Sequence, residues 1–487
     1  MARRTRTVAM VGLAVAAATA LSACRPALTP RDPADVASFT LTDIATQPGA
    51  AFTVVGELGG GYGSQEILTT SFAFAPPPGP GAPPTPIPGN VTVNSKSGGV
   101  WNSTQVVTSA DGIVGPNKPT IADVDGDGLN DFILPAGYFF SQISPPSVRG
   151  SITWWHNNGD GTFARNNVIT GAIGSYHSVV YVDMDNDGKK DMVTTFEDAG
   201  HPAYPFGPPV APVVRIEMFK GLGAGAFAAP VKLADGGGSL PVVFDVNRDG
   251  KLDIGTAQYF KVRTAPIPPQ TAAGFTNESF VWFENTATSG QALDATTFSK
   301  HVIATGLGES FQILPVDNID GNGKYGAIGI NHVGVAQPTA PPQVVRLTPG
   351  SDVRQPWTVT PVASGFTPDA TTPGQSSPGF TGEGDIDGDG DIDLVTSGDA
   401  DWSIYWIERK ADGSWAKHDL AAEFAAPGTF TNLGQASVAV ADLNYDGKNE
   451  IVVASYNAGK VTVIERNAGT GGNVPAVPHL PDLLLRY

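Results

Sequence analysis

Short runs of β-branched and aromatic residues alternate along this chain with acidic, glycine-bearing turns. Residues 178–182 (Ser-Val-Val-Tyr-Val), 241–244 (Pro-Val-Val-Phe), 435–440 (Gln-Ala-Ser-Val-Ala-Val) and 451–453 (Ile-Val-Val) read as strands that flank such turns. After each turn come a strand, a variable loop, a third strand, and a fourth that carries an aromatic. The last two are seen at 152–163, at 281–285 with 298–303, and at 404–409 with 415–420. The turns begin at 57, 123, 183, 245, 318, 385 and 442, spaced 57 to 73 residues apart. Self-similarity on that scale marks stacked units, none of which can bury its faces alone.

The turns share a nine-residue pattern, D-x-D-x-D-G-x-x-D. It is complete at Asp123, Asp125, Asp127 and Asp131, at Asp183, Asp185, Asp187 and Asp191, and at Asp385, Asp387, Asp389 and Asp393. It returns with Asn at position 3 in Asp245, Asn247, Asp249 and Asp253, and in Asp442, Asn444, Asp446 and Glu450. A hard cation such as calcium takes six to eight oxygens. Carboxylates at positions 1, 3 and 5 converge if the chain turns sharply, and glycine at position 6 permits the turn. The position-7 carbonyl (Leu129, Lys189, Lys251, Asp391 or Lys448) and the position-9 carboxylate complete the shell. An EF-hand would need Glu at position 12 and flanking helices; here that position holds Leu134, Thr194, Thr256, Thr396 or Val453. A single Asp-Gly is also an ordinary hairpin turn. Five copies with four or five oxygen ligands each point instead to about five structural Ca2+ sites. A worn copy at Asn318, Asp320 and Asn322 has Gly326 in place of the last acid, so weak or no metal is expected there. A seventh, running from Glu57 to Glu66 with two extra glycines, is expected to be a turn without metal.

Four strands per unit, repeated radially, make an all-β fold, a seven-bladed β-propeller of four-stranded antiparallel blades. At this level the chain resembles the FG-GAP/VCBS repeat family of calcium-containing, integrin-α-like propellers. The resemblance rests on the acidic loops and on the N-x-G-D-G-x-F turn at 157–163, and covers roughly residues 37–467. It implies the fold and the metal, whereas family members range over adhesion ectodomains, lectin-like modules and parts of enzymes. The seventh unit runs through residues 460–466 and lacks a fourth strand. Residues 38–46 match 297–305, with Phe, Ile, Ala and Thr in register. The N-terminal strand is therefore expected to close the ring in the last blade and cover its edge.

The N-terminus changes the picture of where the chain works. Arg3, Arg4 and Arg6 precede an apolar run at 8–20 and then Leu21, Ser22, Ala23 and Cys24. Thirteen apolar residues make a signal core rather than a membrane span. The ending resembles a bacterial lipobox, which implies a leader at 1–23, lipidation of Cys24, a tether at 24–36 and an extracytoplasmic, membrane-anchored product. The one Cys excludes a disulfide within the chain. Net charge is −18, but 21 of the 47 acids lie in or beside the repeated turns, and five calcium ions would bring it to about −8. With 29 basic residues and no basic run beyond the leader, nucleic acid is not expected as a partner. Residues 468–487 form a Gly/Pro-rich tail, and the chain is expected to be monomeric.

The metal loops all join first to second strands, so they share one face. The long insertions all fall between second and third strands, on the other face, where binding residues are expected to concentrate. Six residues past position 9, the units present Phe72, Gly137, Glu197, Tyr259, His332, Asp399 and Tyr456. With His177 and His201, that set suits a carbohydrate or another polar ligand. His301 and His418 occupy matching fourth-strand positions and are expected to be structural. No G-x-S-x-G elbow, H-E-x-x-H pair or P-loop is present, and the single Cys belongs to the lipobox. The leading expectation is a ligand- or partner-binding propeller without catalysis, for a carbohydrate or protein ligand. The alternative is a carbohydrate-active enzyme, a lyase or dehydratase, using funnel His, Tyr and Glu.

Overall fold

The computed structural model describes residues 39–467 apart from 60–64, 77–84, 139–148, 201–210, 239, 261, 263–275, 318–323, 335–339, 369–375, 389, 411 and 425–432. The leader, Cys24, the tether, the tail, His201, Asn318, Asp320, Asn322 and Asp389 lie outside the described residues. Seven four-stranded antiparallel sheets follow one another in chain order. Their first strands are Ala50–Gly56, Thr120–Ala122, Ser175–Val182, Val242–Phe244, Ser310–Asp317, Thr381–Gly384 and Ala436–Ala441. These strands stand side by side around the axis and bond across blades. Asn117 Nδ2 donates to the Tyr176 carbonyl at 2.8 Å, Thr120 Oγ1 to the Val179 carbonyl at 2.6 Å, and Gln312 Nε2 to the Thr381 carbonyl at 2.9 Å. The molecule is a seven-bladed β-propeller.

Every residue of the second strands Asp131–Ala136, Asp191–Asp198, Asp253–Ala257, Asp393–Ser397 and Glu450–Ser455 is buried. Each is flanked by sheet in its own plane and covered by a neighbouring blade on both faces. That is why their exposure does not alternate along the strand as it would with one face in water. The core lies between blades: Ile133 and Trp154 of blade two pack with Tyr176, Met192 and Phe219 of blade three.

The ring closes as expected. Phe39–Thr46 pairs antiparallel with Lys460–Arg466, Phe39 opposite Arg466 and Thr46 opposite Lys460. Asp43 accepts from Lys460 at 2.8 Å and from Thr462 Oγ1 at 2.7 Å. His301 stacks on Trp282 at 4.7 Å and His418 on Trp406 at 4.8 Å, each with Nε2 2.9 Å from a carboxylate, Glu284 or Glu408. Both are repeat-structural residues. A small hairpin, Gly221–Gly223 with Ala226–Phe227, and a short helix, Leu420–Phe424, have no counterpart in the sequence reading.

Candidate functional site: acidic loops and an opposed funnel

Each acidic loop is organised by its own backbone. Position 1 accepts from the position-6 amide: Gly128 to Asp123 at 3.0 Å, Gly188 to Asp183, Gly250 to Asp245 and Gly447 to Asp442 at 2.8 Å, and Gly390 to Asp385 at 2.9 Å. Position 5 accepts from the position-7 amide of Leu129, Lys189, Lys251 or Lys448 at 2.8 to 3.0 Å. Position 6 is left-handed, as its glycine requires, and so is position 4, at Gly126, Asn186, Arg248, Gly388 and Tyr445. The second requirement was not legible, because Arg and Tyr are unusual at positive φ.

The position-9 acid is a clasp. In blade two Asp131 accepts from Val124 N at 2.9 Å and from Asn157 N, in the third strand, at 2.8 Å. Asp191, Asp253 and Asp393 repeat the arrangement with Met184 and Gly221, Val246 and Asn285, and Ile386 and Arg409. Glu450 takes Leu443 N at 2.8 Å, and in the worn first unit Glu66 takes Leu58 N at 2.7 Å. These acids are buried, and desolvation pushes Asp191 up to about 6 and Asp253, Asp393 and Glu450 up to about 7. In blades two, three and six, three carboxylates present oxygens within 4.8 Å of one another. An all-oxygen donor set with preset turns and under-compensated buried acids fits a hard divalent cation.

The opposite face holds a cavity of about 160 Å³. Six of the seven second-strand exit residues line it: Phe72, Gly137, Tyr259, His332, Asp399 and Tyr456. The seventh, Glu197, sits behind the wall, fully buried and bonded to His177 Nδ1; His177 itself lines the cavity. Gly137 contributes backbone alone, since a Cβ there would meet Gly150 Cα at 2.6 Å. The floor is a run of rings. Phe52 meets Phe72 at 5.8 Å and Phe380 at 5.0 Å; Phe380 meets Phe311 at 4.7 Å; Phe311 meets His332 at 5.1 Å and Tyr259 at 5.9 Å. Phe52 and Phe311 come from the inner strands and Phe380 from the residue before one, which the exit-residue pattern did not include. Tyr176, next to His177, belongs to the first strand and buries between Phe196 and Phe219, its hydroxyl donating to Glu217 at 3.0 Å. Desolvation pushes Tyr138 and Tyr456 up to about 12, so their hydroxyls stay protonated.

The polar centre of this funnel is His332 with Asp399. His332 Nδ1 lies 2.7 Å from the Pro378 carbonyl, which can only accept, so Nδ1 carries a proton. Burial drives the ring down to about 4, leaving it neutral with a bare Nε2. That nitrogen lies 3.6 Å from Asp399 Oδ2. Burial, and then the neighbouring Asp401, push Asp399 up to about 7. Asp399 also sits at φ 53, a left-handed conformation that a non-glycine residue adopts at a cost.

A model of the FG-GAP-like repeat matches residues 139–194 and 385–453, spans that hold three of the acidic loops. The chain carries FG-GAP-like repeats. A search of curated proteins found no match. Among solved structures, an α-L-arabinofuranosidase from Fusarium graminearum is similar at 11% identity and TM-score 0.44, over 88% of this chain and 98% of that one. A rhamnogalacturonan lyase from Bacillus licheniformis is similar at 12% identity and TM-score 0.39, over 89% and 73%. A putative 6-phosphogluconolactonase from Bacteroides fragilis is similar at 13% and 0.43, over 89% and 96%. The FG-GAP-like loops also touch one another. The position-8 residues Asn130 and Asn449 donate to the position-1 carbonyls of the preceding loops, Glu57 at 3.0 Å and Asp385 at 3.1 Å. Among the described residues, no helix is long and apolar enough to cross a membrane.

Proposed function

We propose that this propeller is a lipid-anchored, extracytoplasmic binding module. It takes one sugar-sized ring, the end of a carbohydrate or a projecting group of a protein, in the funnel opposite the acidic loops. The observation that carries the reading is convergence: exit residues from six blades meet around one cavity. A volume of about 160 Å³ suits a single ring, being close to that of cavities that admit benzene. Aromatic faces pack against a sugar's C–H surface, while His177, Asp399 and the tyrosine hydroxyls supply oriented polar groups. Calcium in the loops is structural in this reading, supplying the positive charge that the buried position-9 acids lack. The test is equilibrium binding of a glycan panel to calcium-loaded protein, with Tyr456→Ala and Asp399→Ala as controls. Ligands retained at full affinity by both variants would move the site elsewhere. The anchor is tested by Cys24→Ala, which should release the protein from the membrane fraction.

A second reading has its own observation. His332 is a neutral base beside Asp399, an acid held protonated to near neutrality, and opposed shifts of this kind mark acid–base pairs. A lyase or dehydratase would use Nε2 to take a proton and the Asp399 carboxyl to give one. Turnover of any bound glycan that His332→Ala abolishes would replace the binding-only reading.

A further inference from the structure

The loops are not equivalent, and the difference lies outside the motif. Register carried one residue past the paired positions sets a third-strand residue opposite each position-9 acid: His156, Lys220, Glu284, Glu408 and Glu465. In three blades this residue reaches motif position 3. His156 Nδ1 lies 3.0 Å from Asp125 Oδ2, and Glu284 Oε1 accepts from Asn247 Nδ2 at 2.9 Å. In blade three the residue is Lys220, whose ammonium pairs with Asp185 and, at 2.8 Å, with Asp187. Those are positions 3 and 5, two of the groups that would hold an ion.

We propose that Lys220 is a built-in cation that takes the metal's place in blade three. The chain would then bind one ion fewer than its five acidic motifs, and blade three would keep its turn when metal is withdrawn. A divalent ion bound between Asp185 and Asp187 would sit about 2.4 Å from their oxygens. Lys220 Nζ already touches those oxygens, so ion and ammonium would crowd as like charges, and one must leave. The ammonium is tethered to the adjacent strand by its own backbone, so it bonds without the entropy an ion loses on binding. In the other four blades the equivalent residue is a histidine or an acid, so it places no ammonium on motif positions 3 and 5. The worn fifth unit, by register, sets Thr348 opposite Gly326, so neither of those two positions carries a charge.

The inference rests on the calcium reading of the other loops, and the experiment separates the two. Metal content of the calcium-equilibrated protein is counted for the wild type and for Lys220→Gln. Four ions per wild-type chain and five per variant chain are expected. No ion in the wild type removes the calcium reading and this inference with it. Five ions in the wild type, or no gain in a folded variant, overturn the role of Lys220 and leave calcium standing. Should the variant not fold, hydrogen exchange on the wild type decides. On chelation, the Gly188 and Lys189 amides should stay protected while those of Gly250, Lys251 and Gly447 exchange at least tenfold faster. Equal loss in all three loops overturns the proposal.

Discussion

His332 and Asp399 make opposite demands on pH, and separating them is the sharpest check on the funnel geometry. Folded His332 titrates near 4 against 6.5 for an exposed histidine. Between those values the unfolded chain binds a proton that the folded chain refuses, so this group's contribution to stability rises with pH and is lost as pH falls from 6.5 to 4. The shift corresponds to about 3 kcal/mol. Asp399 titrates near 7 when folded against 3.8 when exposed. Across that window the folded chain holds a proton that the unfolded chain has released, so its contribution falls as pH rises from 3.8 to 7. The full shift is about 4 kcal/mol; with 22% of the Asp399 side chain exposed, solvent screening reduces it to about 3. The two terms nearly cancel in the wild type between pH 4 and 6.5. Each variant unmasks the other group. Relative to wild type, Asp399→Asn should gain up to about 3 kcal/mol as pH rises from 4 to 7, and His332→Gln should lose a similar amount between 4 and 6.5. Urea midpoints measured at half-unit pH steps, with calcium held in excess, report both differences. Flat profiles, or profiles of the same sign, would refute the claim that a neutral imidazole faces a protonated carboxyl.

Chelation should lower the melting temperature beyond an ionic-strength control, since each site occupied at a hundredfold excess over Kd contributes about 2.7 kcal/mol; an unchanged transition would remove the metal. Asp253→Ala leaves the buried amides of Val246 and Asn285 without an acceptor. It should cost about 2–6 kcal/mol in denaturant unfolding, at about 1–3 per orphaned donor, and a loss under 1 would deny the clasp its role. Phe311→Ala removes the ring that joins Phe380 to His332 and Tyr259. Phe311 is half-buried, so a loss of about 1–3 kcal/mol is expected, together with entry of a small aromatic probe into the enlarged funnel. Removing residues 39–46 bares the edge of Lys460–Arg466. Gel filtration should then show higher oligomers, and a clean monomer would argue against the closure.

The blade count, the face assignment and the closing strand were legible because each rests on a repeated local cue. Residues at one motif offset, such as Phe72, Tyr259, His332 and Asp399, were brought together by the symmetry of the ring. What escaped depends on cross-strand register and on neighbouring blades. Phe52, Phe311 and Phe380 share no motif offset that marks them in the sequence; it is the ring that turns them toward the cavity. Nothing local distinguishes Lys220 from any other surface lysine, because its meaning comes from the acid pair one strand away. Tyr176 lies outside the β-branched run at 178–182 because the strand begins earlier, at Ser175. Position 4 of the loops could be filled by Arg248 or Tyr445 because the bonds to position 1 hold the backbone there whatever the side chain.

The seam in blade seven sets the order of events when the chain is made. Thr40 bonds to Asn467 at 2.7 Å across 427 intervening steps of sequence. Among the described strands, the earliest in the chain is thus paired only when the latest has been made. Until residues 460–466 are available it has no partner in the ring, and the blades between can assemble in sequence but cannot form a circle. Such long-range pairing is slow to find. Without that pairing the blades would make an arc with two raw edges.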